Sequence, residues 1–256
     1  MKRGIINIGI IPARGKSKGV IKKNLRTLGD MPLVAYGIFC SLSSPSIDLT
    51  IVSTDDPDIA EVSEKCGAKV IIRPEEFATD SAPTEPAMQH VVKELEIEGY
   101  TIDKIALIQC TCPFRLSRDI EAGFKILEES DGDAVMSVSE VFGHYHPYWQ
   151  KKILVDGSLA SLFKEPDIKH QILETERYWR RQDLPGSYYW KNGALYIMSR
   201  ESLMVLGHRY GHKCMPLIID ASRLINIDTE LDFKNAEEML QSGEVKLDFT
   251  LIPIKK

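Results

Sequence analysis

No stretch of this chain approaches the roughly 20 consecutive apolar residues needed to cross a bilayer. A membrane-spanning helix is therefore not expected. Lys2 and Arg3 run directly into a strand-like segment without a small-residue cleavage site, so the expectation is a cytoplasmic protein. Cysteine is sparse: Cys40, Cys66, Cys110, Cys112 and Cys214 are odd in number and scattered, mostly within apolar runs. That pattern fits reduced core thiols and excludes a disulfide framework. Cys110-Thr111-Cys112 lacks the two-residue gap of a zinc knuckle, and no paired Cys/His set follows it. Positive charge is outnumbered, with 32 Lys and Arg against 37 Asp and Glu. The net charge of −5 argues against a general nucleic-acid binder, so any basic site must be local. Two glycine motifs are missing: Gly-x-x-x-x-Gly-Lys-Ser/Thr and Gly-x-Gly-x-x-Gly. Their absence counts against a P-loop nucleotidase and a hydride-transferring dehydrogenase.

What is present is ordinary for a globular protein, with 43% hydrophobic and 27% charged residues. A chain of 256 residues suits one large α/β domain with an appendage. Its most informative stretch is Ile10 to Asn24. An apolar run, Ile5 to Ile11, reads as a buried first strand, and Gly15, Ser17 and Gly19 then let the backbone fold close to a ligand. Arg14, Lys16, Lys18, Lys22 and Lys23 place five cations within ten residues. Alone, such a cluster reads equally well as a solvated basic loop. Its position after strand one favours a phosphate site, because α/β proteins bind ligands at the carboxyl ends of parallel strands.

Strand and helix signals then alternate. Helical spacing over Pro32 to Leu42 is followed by a strand over Leu49 to Thr54, and Asp56-Pro57 opens a helix that stops at Gly67. A short strand over Lys69 to Ile72, a helix over Thr84 to Glu98, a strand over Lys104 to Cys110, a helix over Ser117 to Glu129 and a strand over Ala134 to Val141 complete the series. This order predicts an α/β fold with a doubly wound, mostly parallel sheet. From Phe142 to Trp190 the pattern dissolves into an aromatic- and histidine-rich insertion, the composition of a partner surface. His144-x-His146 has the spacing of a metal pair but no carboxylate set beside it. Near the end, Asn226 and Asp228 alternate in a predicted strand and so face one side. Thr229 and Asp232 form a capping box for a helix over Glu230 to Leu240.

The opening loop resembles the signature of the CMP-sugar synthetases, cytidylyltransferases that activate acidic 2-keto sugars. Pro12, Ala13, Arg14, Ser17, Lys18, Gly19, Lys23 and Asn24 match Pro-Ala-Arg-x-x-Ser-Lys-Gly and the following Lys-Asn. Lys16 stands where that family often has glycine, and Ile21 where it often has proline. Further matches are Arg73-Pro74 with Ala78 and Asp80, Gln109-x-Thr111-x-Pro113-x-Arg115, Arg181-Gln182-x-Leu184-Pro185, Asn192-Gly193-Ala194-x-Tyr196-Ile197, and Asp228.

The resemblance implies a Rossmann-like nucleotidyltransferase domain over 1–141 and 191–256, with a dimerisation arm over 142–190. It implies that Arg14, Lys18 and Lys23 balance the β- and γ-phosphates of CTP, and that Ala13, Ser17, Gly19 and Asn24 complete the loop. Arg73 and Ala82 would read cytosine, since a guanidinium can donate to the unprotonated O2 and N3. Thr84 would lie beside the ribose or phosphates, and Gln109 and Asn192 near the sugar. Arg181 and Gln182 would reach an anionic substrate across the dimer, although salt bridges within the arm account for that segment equally well. The family holds Mg²⁺ with two aspartates two residues apart. Here Asp228 matches, while Asn226 brings a neutral amide that can still coordinate through its carbonyl oxygen or a water; the metal ligands expected are Asp228, as the main one, and Asn226.

The expected reaction joins CMP from CTP to the anomeric hydroxyl of a nonulosonic acid and releases pyrophosphate. The expected partners are CTP, an acidic 2-keto sugar and a second copy of the chain. Two alternatives stay open: a 3-deoxy-manno-octulosonate cytidylyltransferase, and a non-catalytic nucleotide-sugar binder for which the Asn226 departure speaks. No dedicated general base is evident.

Overall fold

The computed structural model describes residues 4–15, 19–79, 82–162, 178 and 180–254. The chain divides into two compact units, one formed by 1–138 with 192–256, the other by 139–191.

The larger unit is built on a seven-stranded sheet. Its strands are β1 (Ile5–Pro12), β4 (Leu49–Thr54), β5 (Lys69–Ile72), β6 (Thr101–Ile108), β7 (Ala134–Glu140), β10 (Tyr189–Ser199) and β11 (Cys214–Ile218). They lie in the order β11-β7-β10-β6-β1-β4-β5. A small hairpin of β2 (Thr27–Leu28) and β3 (Met31–Pro32) follows the opening loop. β1 pairs parallel with both β4 and β6, β4 with β5, and β7 with β11, while β10 runs antiparallel to β6. The predicted doubly wound, mostly parallel sheet is therefore the fold observed.

Two-residue alternation sorts the core onto the two faces of this sheet. Ile11, Val52, Ala106 and Ile108 pack with apolar residues of α1 (Leu33–Leu42), α2 (Pro57–Lys65), α4 (Ser117–Glu129) and α6 (Glu230–Gln241). Ile8, Ile10, Ile51, Ile105 and Leu107 pack instead with Met88, Val91, Val92 and Leu95 of α3 (Thr84–Ile97) and with Leu203 of α5 (Arg200–Met204). Both faces of the central strands are buried, which explains why β1 and β6 read as nearly unbroken apolar runs.

Local chemistry sets the helix ends. Asp56 accepts from the backbone N–H groups of Asp58 and Ile59 at 2.9 and 3.1 Å, Pro57 occupies the first turn, and Gly67 follows at φ 93°. At α4, Asp248 accepts from Ser117 N and Arg118 N at 2.8 and 3.1 Å. The C-terminal segment thereby supplies the acceptors that helix lacks. Four cysteines are buried and Cys214 is exposed.

The sequence pattern needs three corrections here. The β6 strand ends at Ile108, so Gln109 and Cys110 belong to the loop after it. Residues 224–228 form no ladder, because their extended backbone is held chiefly by Ile227 N donating to Thr111 O at 2.8 Å. The β11 strand, with Pro216 at its centre, was not foreseen; as an edge strand it tolerates a residue without a donor.

The smaller unit contains the hairpin β8 (Lys151–Ile153) and β9 (Leu159–Ser161) and an aromatic cluster. His146 meets Tyr188 edge-on at 4.9 Å between ring centroids, and its Nδ1 accepts from Tyr148 N at 3.4 Å. His144 lies against Trp149 at 6.1 Å. Both histidines thus serve ring packing, and among the described residues there is no group of three or more potential metal ligands.

Candidate functional site

The carboxyl ends of β1, β5 and β6 open onto a cavity of about 380 Å³, where parallel sheets collect ligands. It is lined by Arg14, Gly19, Lys23, Asn24, Arg73, Ala82, Thr84, Gln109 and Asp228 among the residues predicted from sequence. Pro12, Phe77, Thr79, Pro83, Cys110 and Thr111 complete the wall. Lys16, Ser17 and Lys18 of the opening loop, and Asp80 and Ser81 of the second, lie outside the described residues.

The first loop is fixed at both ends. Gly15 N donates to the Asp55 carboxylate at 3.0 Å, and Asn24, almost fully buried, donates through Nδ2 to Arg14 O at 2.9 Å. Asn24 therefore shapes the loop as well as lining the cavity. At Gly19 the backbone passes so close to Asp228 that a Cβ would stand 2.0 Å from the Asp228 carbonyl oxygen. Lys22 has φ 49°, the one non-glycine residue at positive φ among those described, and it precedes the 3-10 turn Lys23–Leu25 that aims Lys23 inward. The Lys23 ammonium donates to Ile227 O at 2.7 Å and to Asp228 Oδ1 at 3.3 Å. This cation is thus bound to the opposite wall of the cavity.

The second loop joins the first through Arg14, which donates to Thr79 O at 3.1 Å. Arg73 is buried, donates to Ser53 O and weakly to Phe77 O, and leaves its Nε without a partner. Burial pulls its guanidinium below the usual arginine range, with nearby Asp55 opposing that shift. That Nε is a buried donor left unsatisfied, which carries a cost in stability. The Ala82 N–H already donates to Thr79 O at 3.2 Å. Thr84 begins α3, whose N-terminal end carries the positive pole of the helix dipole. In that first turn, Arg209 holds Glu85 at 2.7 Å.

On the far wall, Asp228 is set by its neighbours. Its backbone N–H donates to Asp232 at 3.0 Å, and Asp232 also closes the capping box with Thr229. Its Oδ2 accepts from Asn226 Nδ2 at 2.8 Å. The Asn226 amide oxygen is turned the other way, 3.6 Å from the Cys112 thiol. Burial pushes the Cys110 thiol up to about 12 and raises that of Cys112, so both are protonated at neutral pH.

Several predicted site residues have other employment. Ala13 is wholly buried in the core, its N–H on Ser53 O at 2.9 Å. Asn192 is buried and accepts from Ser137 Oγ at 2.6 Å and Ala194 N at 3.1 Å, which shapes the turn into β10. Arg115 lies completely buried and donates to the backbone oxygens of Ala194 and Gln109, fixing the Gln109 loop. In the smaller unit, Arg180 pairs with Asp183 at 2.8 Å, while Arg181 and Gln182 are exposed. Phe77, Thr79 and Pro83 were within the loop marked by Arg73 and Ala82, but no sequence signal distinguished them from their neighbours.

For a divalent cation, the described lining residues offer one carboxylate, that of Asp228, in a cavity that also carries Arg14, Lys23 and Arg73. Mg²⁺ is commonly bound by one or two protein carboxylates together with substrate phosphates and water, so this set fits it.

Residues 8–241 match the family model described as cytidylyltransferase. N-acylneuraminate cytidylyltransferase of Escherichia coli O18:K1:H7 is 32% identical over 231 residues, covering 90% of this chain and 51% of that protein. The chain thus spans about half the length of that relative. CMP-N,N'-diacetyllegionaminic acid synthase of Legionella pneumophila is 28% identical over 242 residues and is covered over 98% of its length. Among solved structures, a CMP:2-keto-3-deoxy-manno-octonic acid synthetase complexed with CTP shares the fold at a TM-score of 0.67 and 15% identity, covering 93% of this chain and 99% of that one. With a family match over most of its length, this chain belongs to the cytidylyltransferases.

Proposed function

We propose that the chain transfers CMP from CTP to the anomeric hydroxyl of a nonulosonic acid, releasing pyrophosphate. The observation carrying this reading is the convergence of Arg14, Lys23, Arg73, Thr84, Gln109 and Asp228 on one cavity at the sheet's carboxyl edge. Relatives named for N-acylneuraminate, N,N'-diacetyllegionaminic acid and pseudaminic acid support the acceptor class.

In this reaction the sugar hydroxyl oxygen forms a bond to the α-phosphorus as the bond to the bridging oxygen of pyrophosphate breaks. Arg14 and Lys23, with Lys18 from the loop, balance the charge that collects on the departing phosphates. Arg73, which lines the cavity, is assigned to the cytosine. Gln109, at the end of the cavity next to Gly193, orients the acceptor. Asp228 is the one carboxylate among the described lining residues, and no histidine lines the cavity there. The chain's contribution is accordingly positioning and charge neutralisation rather than covalent catalysis. Mg²⁺ held by Asp228 would supply positive charge to the polyphosphate.

Turnover of a panel of nonulosonic acids and 3-deoxy-manno-octulosonate, read as pyrophosphate release, tests the reading. Release is expected to require CTP, Mg²⁺ and an acid together, and Asp228→Ala should lower it roughly 10²-fold or more. Binding of CTP without turnover of any acid would refute it in favour of a nucleotide-sugar binder. The smaller unit exposes Phe142, Tyr145, Ile153, Leu154 and Leu159, an apolar surface that we assign to contact with a second copy of the chain. Light scattering should then report twice the mass of one chain.

A further inference from the structure

The two oxygens of the Asp228 carboxylate are held by different donors. Lys23 Nζ sits 3.3 Å from Oδ1, and Asn226 Nδ2 sits 2.8 Å from Oδ2. Asn226 is not among the residues lining the cavity; it is exposed and adjoins Asp228, which does line it. Its own orientation is set from the interior. The Cys112 thiol, 1% exposed, lies 3.6 Å from both the Asn226 amide oxygen and the Asn192 carbonyl oxygen. Asn192 in turn is anchored to the sheet by Ser137 and Ala194. A continuous series of contacts therefore runs from Asn192 of β10 to the Asp228 carboxylate.

The two ends of an asparagine amide are not equivalent in this setting. With the oxygen toward Cys112, the thiol donor meets an acceptor and the amide N–H meets a carboxylate. Turning the amide to offer its oxygen to the cavity would leave its N–H groups facing a sulfur, a weak acceptor, and would strip Asp228 Oδ2 of its donor. A carboxylate in place of Asn226 would put like charges within hydrogen-bond distance until a cation arrived. The amide instead attracts Asp228 with no ligand bound.

We propose that Asn226 is a positioning residue: it donates to Asp228 Oδ2 and aims that carboxylate into the cavity, and it does not itself ligate a cation. The inference deepens the proposed reaction and rests on it for the role of Asp228. Among the described lining residues it leaves one carboxylate at the polyphosphate site, its geometry preorganised by a neutral donor.

The test combines the free protein with the working enzyme. In the free protein, the side-chain amide nitrogen signal that disappears in Asn226→Asp should shift markedly in Asp228→Ala; an unmoved signal overturns the proposal. Mn²⁺ alone, titrated by electron paramagnetic resonance, should bind Asn226→Ala within twofold of the unsubstituted protein, whereas a tenfold or greater loss makes Asn226 a ligand and overturns it. In the pyrophosphate assay, Asn226→Ala should lower kcat about tenfold and leave the KM for CTP within twofold. An unchanged kcat overturns the proposal. Cys112→Ala, which frees the amide without touching the carboxylate, should lower kcat about threefold. If the unsubstituted protein turns over none of the acids, the reaction reading fails, and the amide signal still decides whether Asn226 holds Asp228.

Discussion

Replacing Gly19 by alanine tests the geometry of the cavity with one methyl group. The added Cβ would lie 2.0 Å from the carbonyl oxygen of Asp228, while ordinary contact begins at 3.4 Å. The atom it meets is backbone, so no side chain can swing aside. The two walls must separate by about 1.4 Å, an overpacking whose cost in stability is about 1–3 kcal/mol. Movement on the scale of 1 Å at a reacting centre lowers rates about 10²-fold. Gly19→Ala should therefore lose about two orders of magnitude in pyrophosphate release with CTP, Mg²⁺ and acceptor. The melting temperature should fall by about 2–12 °C, since about 1 kcal/mol corresponds to 2–4 °C at this chain length. Two controls bracket the result. Gly4→Ala meets nothing within 4 Å and should be silent. Gly15→Ala meets the Asp56 carboxylate at 2.4 Å and the Asp56 Cβ at 2.8 Å; rotation clears the carboxylate at the expense of its cap on α2, and the Cβ contact needs a smaller backbone shift than the one at Gly19. That variant should lose about 1 kcal/mol of stability or more, and less activity than Gly19→Ala. Wild-type turnover by Gly19→Ala would refute the claim that the loop and the Asp228 segment form two walls of one site.

Two other substitutions probe the supports of the site. Thr229→Ala removes the side-chain acceptor for Asp232 N and should destabilise the protein by about 1 kcal/mol in chemical denaturation; it should also lower turnover, because Asp232 holds the backbone of Asp228. Asp248→Ala removes the acceptors for Ser117 and Arg118. Burial raises the Asp248 carboxyl, but the two backbone donors outweigh it and the net shift is downward. A lowered folded value means that the stabilisation is complete above the unfolded value of about 3.9 and fades as pH falls through the folded one. The melting-temperature gap between the two proteins should therefore be constant from pH 7 to pH 5 and shrink below about pH 4.

Signals carried within a few residues were readable before the structure. Asp56-Pro57, Gly67 and the Thr229–Asp232 box each mark a helix end because cap and N–H donor lie in the same turn. The alternation along Ile8, Ile10 and Ile11 is equally local, and it led to a sheet covered on both faces. Pairings across long separations were not readable. Nothing in Cys214–Ile218 announces a parallel partner at Ala134–Val138, and Pro216 argues against a strand until its edge position is known. The same division holds at the site. The cations of the first loop and Asp228 were evident from residue type, whereas the commitment of Asn192 to Ser137 and of Asn226 to Asp228 depends on which way an amide is turned. Arg115 was only a motif match in the sequence, and the folded chain shows it to be a strut sealed beneath Ala194.

The bond from Lys23 to Ile227 joins residues 204 positions apart. A ribosome must therefore have passed Asp228 before the pocket can exist at all. The early βα units can collapse first, but their basic loop lacks its opposing wall until Asp228 emerges. Shortened products that stop ahead of that residue can own a folded core and still have no place to hold a nucleotide.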